Sequence, residues 1–135
     1  MVHPNQQLID AFFEAYAKRD MDGIKKLMDE KVQWTFPGDH PAAGIKIGIP
    51  EVIYFFDTMA DIMGKSNVTA EKLVIGCNDE YVVESQRITT NRDDGFNLDH
   101  YECVLWKFKD GKITEGKHFF AEAEKVNTFF SKVLQ

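Results

Sequence analysis

Hydrophobic and polar residues follow two different rhythms along this chain, and the change falls near Gly64. Ahead of it, apolar positions recur at helical spacing. Leu8, Ile9, Phe12, Phe13 and Tyr16 form one such stripe, and Pro4 suits the first turn of that helix. Asp20 is placed to cap a second helix over 20–29, which buries Ile24, Leu27 and Met28. Pro50 opens a third helix. Val52, Ile53, Phe55, Phe56, Met59, Ile62 and Met63 supply its inner side, and Gly64 ends it. Between the second and third helices, Val32 to Phe36 alternates apolar and polar, the mark of a short strand. Pro37-Gly38-Asp39-His40-Pro41-Ala42-Ala43-Gly44 holds two prolines and two glycines and is predicted to be a loop.

Beyond Gly64 the period becomes two. Strands are predicted over 68–77, 81–90, 96–108 and 112–121. Turns fall at Asn78-Asp79-Glu80, Asp93-Asp94-Gly95 and Asp110-Gly111. Such short turns make successive strands antiparallel neighbours. A last helix is expected over 124–133. Helices followed by strands, with no repeat or linker, point to an α+β domain in which a curved sheet wraps around helices.

At 135 residues the chain is expected to be one domain spanning 1–135. Its 44% hydrophobic content argues against disorder. Sixteen Lys and Arg against 22 Asp and Glu leave a formal charge of −6, so the phosphate attraction behind nucleic-acid and anionic-membrane binding is missing. No apolar run is long enough to span a bilayer, and the first residues lack the pattern of a signal peptide. Cys77 and Cys103 are too few for a disulfide framework. A cytoplasmic location is the resulting expectation.

The element order α-α-β-α-β-β-β-β, with Trp34-Thr35-Phe36-Pro37-Gly38, Pro41-Ala42-Ala43-Gly44, Gly48 and the hairpin Trp106-Lys107-Phe108-Lys109-Asp110-Gly111-Lys112-Ile113, resembles the nuclear-transport-factor-2-like superfamily. Within it the chain is similar to the SnoaL-like, ketosteroid-isomerase-like group. The resemblance covers nearly the whole chain. It implies a cone-shaped α+β barrel, with N-terminal helices packed in a curved antiparallel sheet. The superfamily holds steroid isomerases, polyketide cyclases, dehydratases, epoxide hydrolases and proteins without chemistry, so activity must be read from the site. The tyrosine and two aspartates of the steroid isomerases fall on Phe12, Phe36 and Val104, which can neither abstract a proton nor stabilise an oxyanion. The general base of the SnoaL-type cyclases falls on Ala121. Glu122 is next along, but one residue of offset turns a strand side chain to the other face unless a bulge intervenes.

The last hairpin decides which polar groups look inward. A two-residue turn at Asp110-Gly111 would set Lys109 against Lys112, an unfavourable like-charge pair. A three-residue turn avoids this and agrees with the resemblance, so it is the expected register. It places His100, Glu102, Val104 and Trp106 on one face with Gly116, His118 and Phe120, and sets Glu102 directly opposite His118. A carboxylate beside an imidazole fixes its tautomer and makes a usable acid–base pair. The same pair can also serve only to satisfy two half-buried polar groups.

His118, Glu102 and the loop residue His40 are therefore the candidate catalytic residues, with Tyr16 as a further donor. Phe12, Tyr16, Trp34, Phe55, Phe56, Met59, His100, Trp106 and Phe120 are the candidate lining of a cavity. His100, Glu102 and His118 share a face. His100 and Glu102 nevertheless stand about 7 Å apart along the strand, long for shared ligation, so no metal is expected. No nucleotide-cradling motif is present, and no cofactor is expected. Tyr101, Cys103, Leu105 and Phe119 would leave an apolar patch on the outer face, which suggests a homodimer. The expected function is acid–base catalysis of an isomerase, cyclase or lyase type on an apolar or aromatic ring-bearing metabolite. The alternatives are a non-catalytic small-ligand binder and a dimeric interaction module.

Overall fold

The computed structural model describes residues 2–135. Helix α1 (Pro4–Ala17) starts where the His3 ring accepts a hydrogen bond from Asn5 N at 3.0 Å, and its stripe buries Ile9 and Phe12. Helix α2 (Met21–Lys25) is capped by Asp20, whose carboxylate accepts from Gly23 N. It is much shorter than the predicted 20–29. Strand β1 (Met28–Phe36) takes over four residues ahead of Val32. Ile113 N donates to Leu27 O and Met28 pairs with Ile113, so the last sheet strand captures this segment. An irregularity between Met28 and Gln33 breaks the period of two, and regular alternation returns only at Val32.

The loop at 37–43 runs into strand β2 (Gly44–Ile47), which the sequence pattern did not announce. It is four residues long, and Ile45 and Ile47 both face solvent, so no buried alternation marks it. Helix α3 (Ile49–Lys65) follows, buried along Val52, Phe55, Phe56 and Ile62. Then come β3 (Thr69–Cys77), β4 (Tyr81–Thr89), β5 (Asp99–Lys109), β6 (Lys112–Phe120) and helix α4 (Ala123–Val133).

The strands form one sheet in the order β2-β1-β6-β5-β4-β3. Every pairing is antiparallel except β1 with β6, which run parallel, a departure from the all-antiparallel expectation. The helices fill the concave side, giving the cone-shaped α+β architecture that the element order implied.

The β5–β6 hairpin corrects the expected register. Lys109 does pair with Lys112 across a two-residue turn. Asp110 (φ 53°) and Gly111 (φ 75°) are both left-handed, as a type I′ turn requires and an Asp-Gly pair readily supplies. The like-charge objection fails because Lys112 turns its ammonium to Lys26 O, away from Lys109. A bulge then inserts Thr114, so that Phe108 faces Ile113 while Lys107 faces Glu115. Beyond it Trp106 pairs with Gly116, Val104 with His118 and Glu102 with Phe120. Glu102 and His118 are thus diagonal neighbours on one face, not direct partners.

Gly116 sits beneath the Trp34 ring, which lies across β6 to meet Trp106 at 4.9 Å. A Cβ at Gly116 would overlap the indole. Gly116→Ala should therefore cost about 1–3 kcal/mol, the usual range for overpacking, read as a lowered urea midpoint with an unchanged slope.

Candidate functional site

The concave face holds a cavity of about 190 Å³. Its apolar wall comes from three directions. Helix α1 offers Phe12, Phe13 and Tyr16; α3 offers Phe55, Phe56 and Met59; the sheet offers Trp34, Phe36, Val104, Trp106 and Phe120. The rings meet mostly edge to face, as in Phe12–Trp106 (4.9 Å) and Trp34–Phe56 (4.8 Å), an arrangement that favours packing of aromatic groups. All nine residues expected to line a cavity do so, His100 among them.

His118 Nδ1 lies 2.9 Å from Glu102 Oε2, and Gln86 Nε2 donates to the other carboxylate oxygen at 3.3 Å. Both oxygens of Glu102 are engaged. With the carboxylate accepting a hydrogen bond from Nδ1–H, the Nε2 lone pair of His118 is the free side of the ring. Phe36, Trp34 and Phe55 surround that ring at 4.8, 5.6 and 6.5 Å between centroids. The arrangement is an oriented imidazole in an apolar hollow, with its carboxylate held from behind.

His40 does not reach this hollow. Its ring stacks on Phe130 at 5.0 Å, and its Nδ1 accepts from Ala42 N. Phe36 lies between the two histidines, 5.5 Å from His40 and 4.8 Å from His118. Burial and the nearby Lys46 lower the pKa of His40. The residue anchors its loop against α4, a correction to its expected catalytic place. Glu122 does not stand in for the cyclase base either, because it is exposed beyond the end of β6 and pairs with Lys125 at 3.1 Å. Tyr16 lines the cavity, and burial pushes its hydroxyl up to about 12, so it remains a protonated donor at neutral pH. His100 is buried, its pKa lowered chiefly by desolvation, and its Nδ1 has no partner among the described residues.

Two polar lining groups escaped the sequence reading, Glu84 and Gln86 on β4. The signal was available. Glu84 pairs with Val104 and Gln86 with Glu102, so the inward face of β5 dictates the inward face of β4. Glu84 is only 1% exposed. Trp106 Nε1 donates to its Oε1 at 3.3 Å, while Lys72 Nζ stands 3.7 Å from Oε2, beyond hydrogen-bonding range. Burial raises the Glu84 pKa, with Lys72 and the Trp106 N–H opposing.

Residues 9–116 match the family model described as the SnoaL-like domain. The uncharacterised protein Rv0034 of Mycobacterium tuberculosis is 29% identical over 125 residues, 92% of this chain and 94% of that one. Among solved structures, Bal32a from a soil-derived mobile gene cassette superposes with a TM-score of 0.82 at 25% identity, covering 94% of this chain and 96% of its own. TerC, co-crystallised with polyporic acid, gives 0.72 at 21% identity over 87% and 92%.

The raised pKa of Glu84 carries a sign. The folded protein holds this proton to higher pH than the unfolded chain does. Its contribution to stability is complete below the unfolded pKa and declines as pH rises through the folded one. Glu84→Gln removes that decline. The variant should match the wild type near pH 4.5 and exceed it by about 3–5 °C at pH 8 in thermal melts, on the order of 1 kcal/mol at this size.

Proposed function

The chain belongs to the SnoaL-like domain family, and from that premise we propose that it is a small acid–base enzyme, of isomerase, cyclase or lyase type, acting on a ring-bearing metabolite in the cone cavity. The supporting observation is the His118–Glu102 contact at 2.9 Å on the cavity wall, backed by Gln86. His118 Nε2 is the proton-transfer atom. Glu102 orients the ring, and Gln86 holds Glu102. Tyr16 is a second donor at the wall. The chemistry needs no cofactor, because the imidazole can take a proton from one carbon of the ring system and return it to another.

Size narrows the substrate. A cavity of about 150 Å³ accommodates benzene, so about 190 Å³ suits one substituted ring rather than a fused polycycle. The apolar wall selects a ring, and the small set of polar groups orients it. Co-crystallisation of TerC with polyporic acid supports small-molecule binding in this fold and no more.

Incubation with a panel of monocyclic phenols, enones and aromatic acids, followed by mass spectrometry and chiral chromatography, tests this reading. A compound that raises the melting temperature should be turned over by the wild type. It should still bind His118→Ala, with turnover reduced about 10²–10⁴-fold, the usual contribution of a positioned acid–base group. Ligands that bind without turnover would instead support the non-catalytic binder. That reading is favoured by Phe12, Phe36 and Val104, which put apolar walls where the isomerases carry their polar groups.

We also propose a homodimer through the convex sheet face. Ile45, Thr35, Lys117, Leu105 and Val83 lie side by side across the strands, and Phe119, Cys103, Ser85 and Val74 form the next row. Ile45, Ile47, Tyr101 and Phe119 are 59%, 57%, 49% and 53% exposed, apolar side chains on a mixed surface that association would cover. Equilibrium sedimentation should give twice the 15.5 kDa chain mass. Phe119→Glu should give the monomer with the fold intact, and a monomeric wild type at micromolar concentration would defeat the proposal.

A further inference from the structure

Glu84 and His118 share one rung of the sheet. His118 pairs with Val104, and Val104 pairs with Glu84, all three on the concave face. Two strand spacings of about 4.8 Å separate their backbones, and Val104 forms the floor between them. A single ring laid over Val104 would meet His118 at one edge and Glu84 at the other.

The second edge has charge from within the protein, Lys72 Nζ at 3.7 Å from Glu84 Oε2, but no hydrogen bond. Oε2 of Glu84 is buried without a hydrogen-bond partner among the described residues, and so are Trp34 Nε1 and His100 Nδ1, each on a residue that lines the same cavity. Buried polar atoms in native structures have partners, so an orphaned group implies one that comes from outside the chain. A plain hydrocarbon ring would leave all of them orphaned.

We propose that the ring taken by this cavity carries an oxygen, hydroxyl or oxo, that lies against Glu84 Oε2, across Val104 from His118. The substrate class is thus a phenol, a cyclic enone or a related oxygenated ring. Glu84 Oε2 contacts that oxygen, donating to it when protonated, while His118 Nε2 faces a ring carbon. When His118 removes a proton from a carbon next to an oxo group, the electron pair moves to that oxygen. The Glu84 hydroxyl meets the developing charge, and the proton returns from His118 to a carbon of the same system. No other reactant is required. The inference rests on the small-ring reading above and adds the chemical identity of the ring's far edge.

Burial keeps Glu84 protonated toward higher pH. The charged or titratable groups that act on it are Lys72 from β3, Glu102 from β5 and His118 from β6, with the Trp106 N–H at its other oxygen. The two tryptophans of the chain, Trp34 and Trp106, both line the cavity, so both indole N–H signals report on it. The Trp106 signal also reports on Glu84 ionisation through their hydrogen bond.

Phenol and toluene have nearly the same shape and differ by the oxygen, so ¹⁵N-edited NMR titrations with each at pH 6 provide the test. Phenol should shift the indole signals with at least tenfold tighter binding than toluene. Glu84→Leu should abolish that preference while still binding toluene. Glu84→Gln, which keeps a donor, should retain it, and its phenol affinity should lose the part of the wild type's decline with rising pH that tracks the Trp106 titration. Equal binding of both probes by the wild type would overturn the proposal and leave the ring-cavity reading intact, as would a preference that survives in Glu84→Leu. Failure of both probes to bind would remove the ring-cavity reading and this inference together.

Discussion

One extra residue in β6 decides what this protein can do. A two-residue turn at Asp110-Gly111, carried through without interruption, would direct His118 to the convex side and Lys117 and Phe119 into the core. The bulge at Thr114 reverses that parity after the second pair from the turn. Gly116, His118 and Phe120 then face inward. Everything at the site follows: Gly116 leaves room for Trp34 to lie across the strand, His118 comes within reach of Glu102, and Phe120 joins the wall. The turn chemistry and the packing demand are therefore in conflict, and the bulge reconciles them.

The cavity itself is a compromise of the same kind. An interior lined by so many aromatic rings would normally close on itself. Here the concave sheet also presents Glu84, Gln86, His100, Glu102 and His118, polar groups that cannot be packed tightly against hydrocarbon without losing their partners. Gln86, Glu102 and His118 satisfy one another in a chain across three strands. Glu84 is partly answered by Trp106, and His100 has an orphaned Nδ1.

Much of this was legible from the order of residues. The stripes of α1 and α3 have unbroken helical spacing, and every aromatic side chain singled out on them lines the cavity. The curved sheet around helices followed from the change of period at Gly64, and its cone shape from the family resemblance. Legibility failed where tertiary contacts override local pattern. The segment 26–29 has helical character but is drawn into the sheet by β6, and β2 carries its apolar side chains outward, so neither shows alternation. The Glu102–His118 pairing was inferred through the wrong turn. The assumed register and the real one share a parity, since the bulge supplies the residue that the longer turn was thought to supply. Glu84 was missed for a different reason. A glutamate on a strand reads as a solvated position until the neighbouring strand's register is known. His40 misled in the opposite sense, because a loop rich in proline and glycine can dock as tightly as a helix when an aromatic side chain such as Phe130 receives it.

Two carboxylates on adjacent rungs of one wall hold different positions, and the difference is physical. Glu102 has both oxygens taken, one by an amide and one by an imidazole, so its capacity is spent on orienting His118. Glu84, one rung along and deeper, has a single indole donor and keeps an oxygen free. Environments that separate like groups in this way are how one small site obtains an acid and a base at the same pH. The isomerase positions in this chain are Phe12, Phe36 and Val104, all apolar and all in the cavity wall. The acid–base chemistry proposed for this chain therefore lies elsewhere in the cone, on β4, β5 and β6, with Val104 as the surface between its two ends.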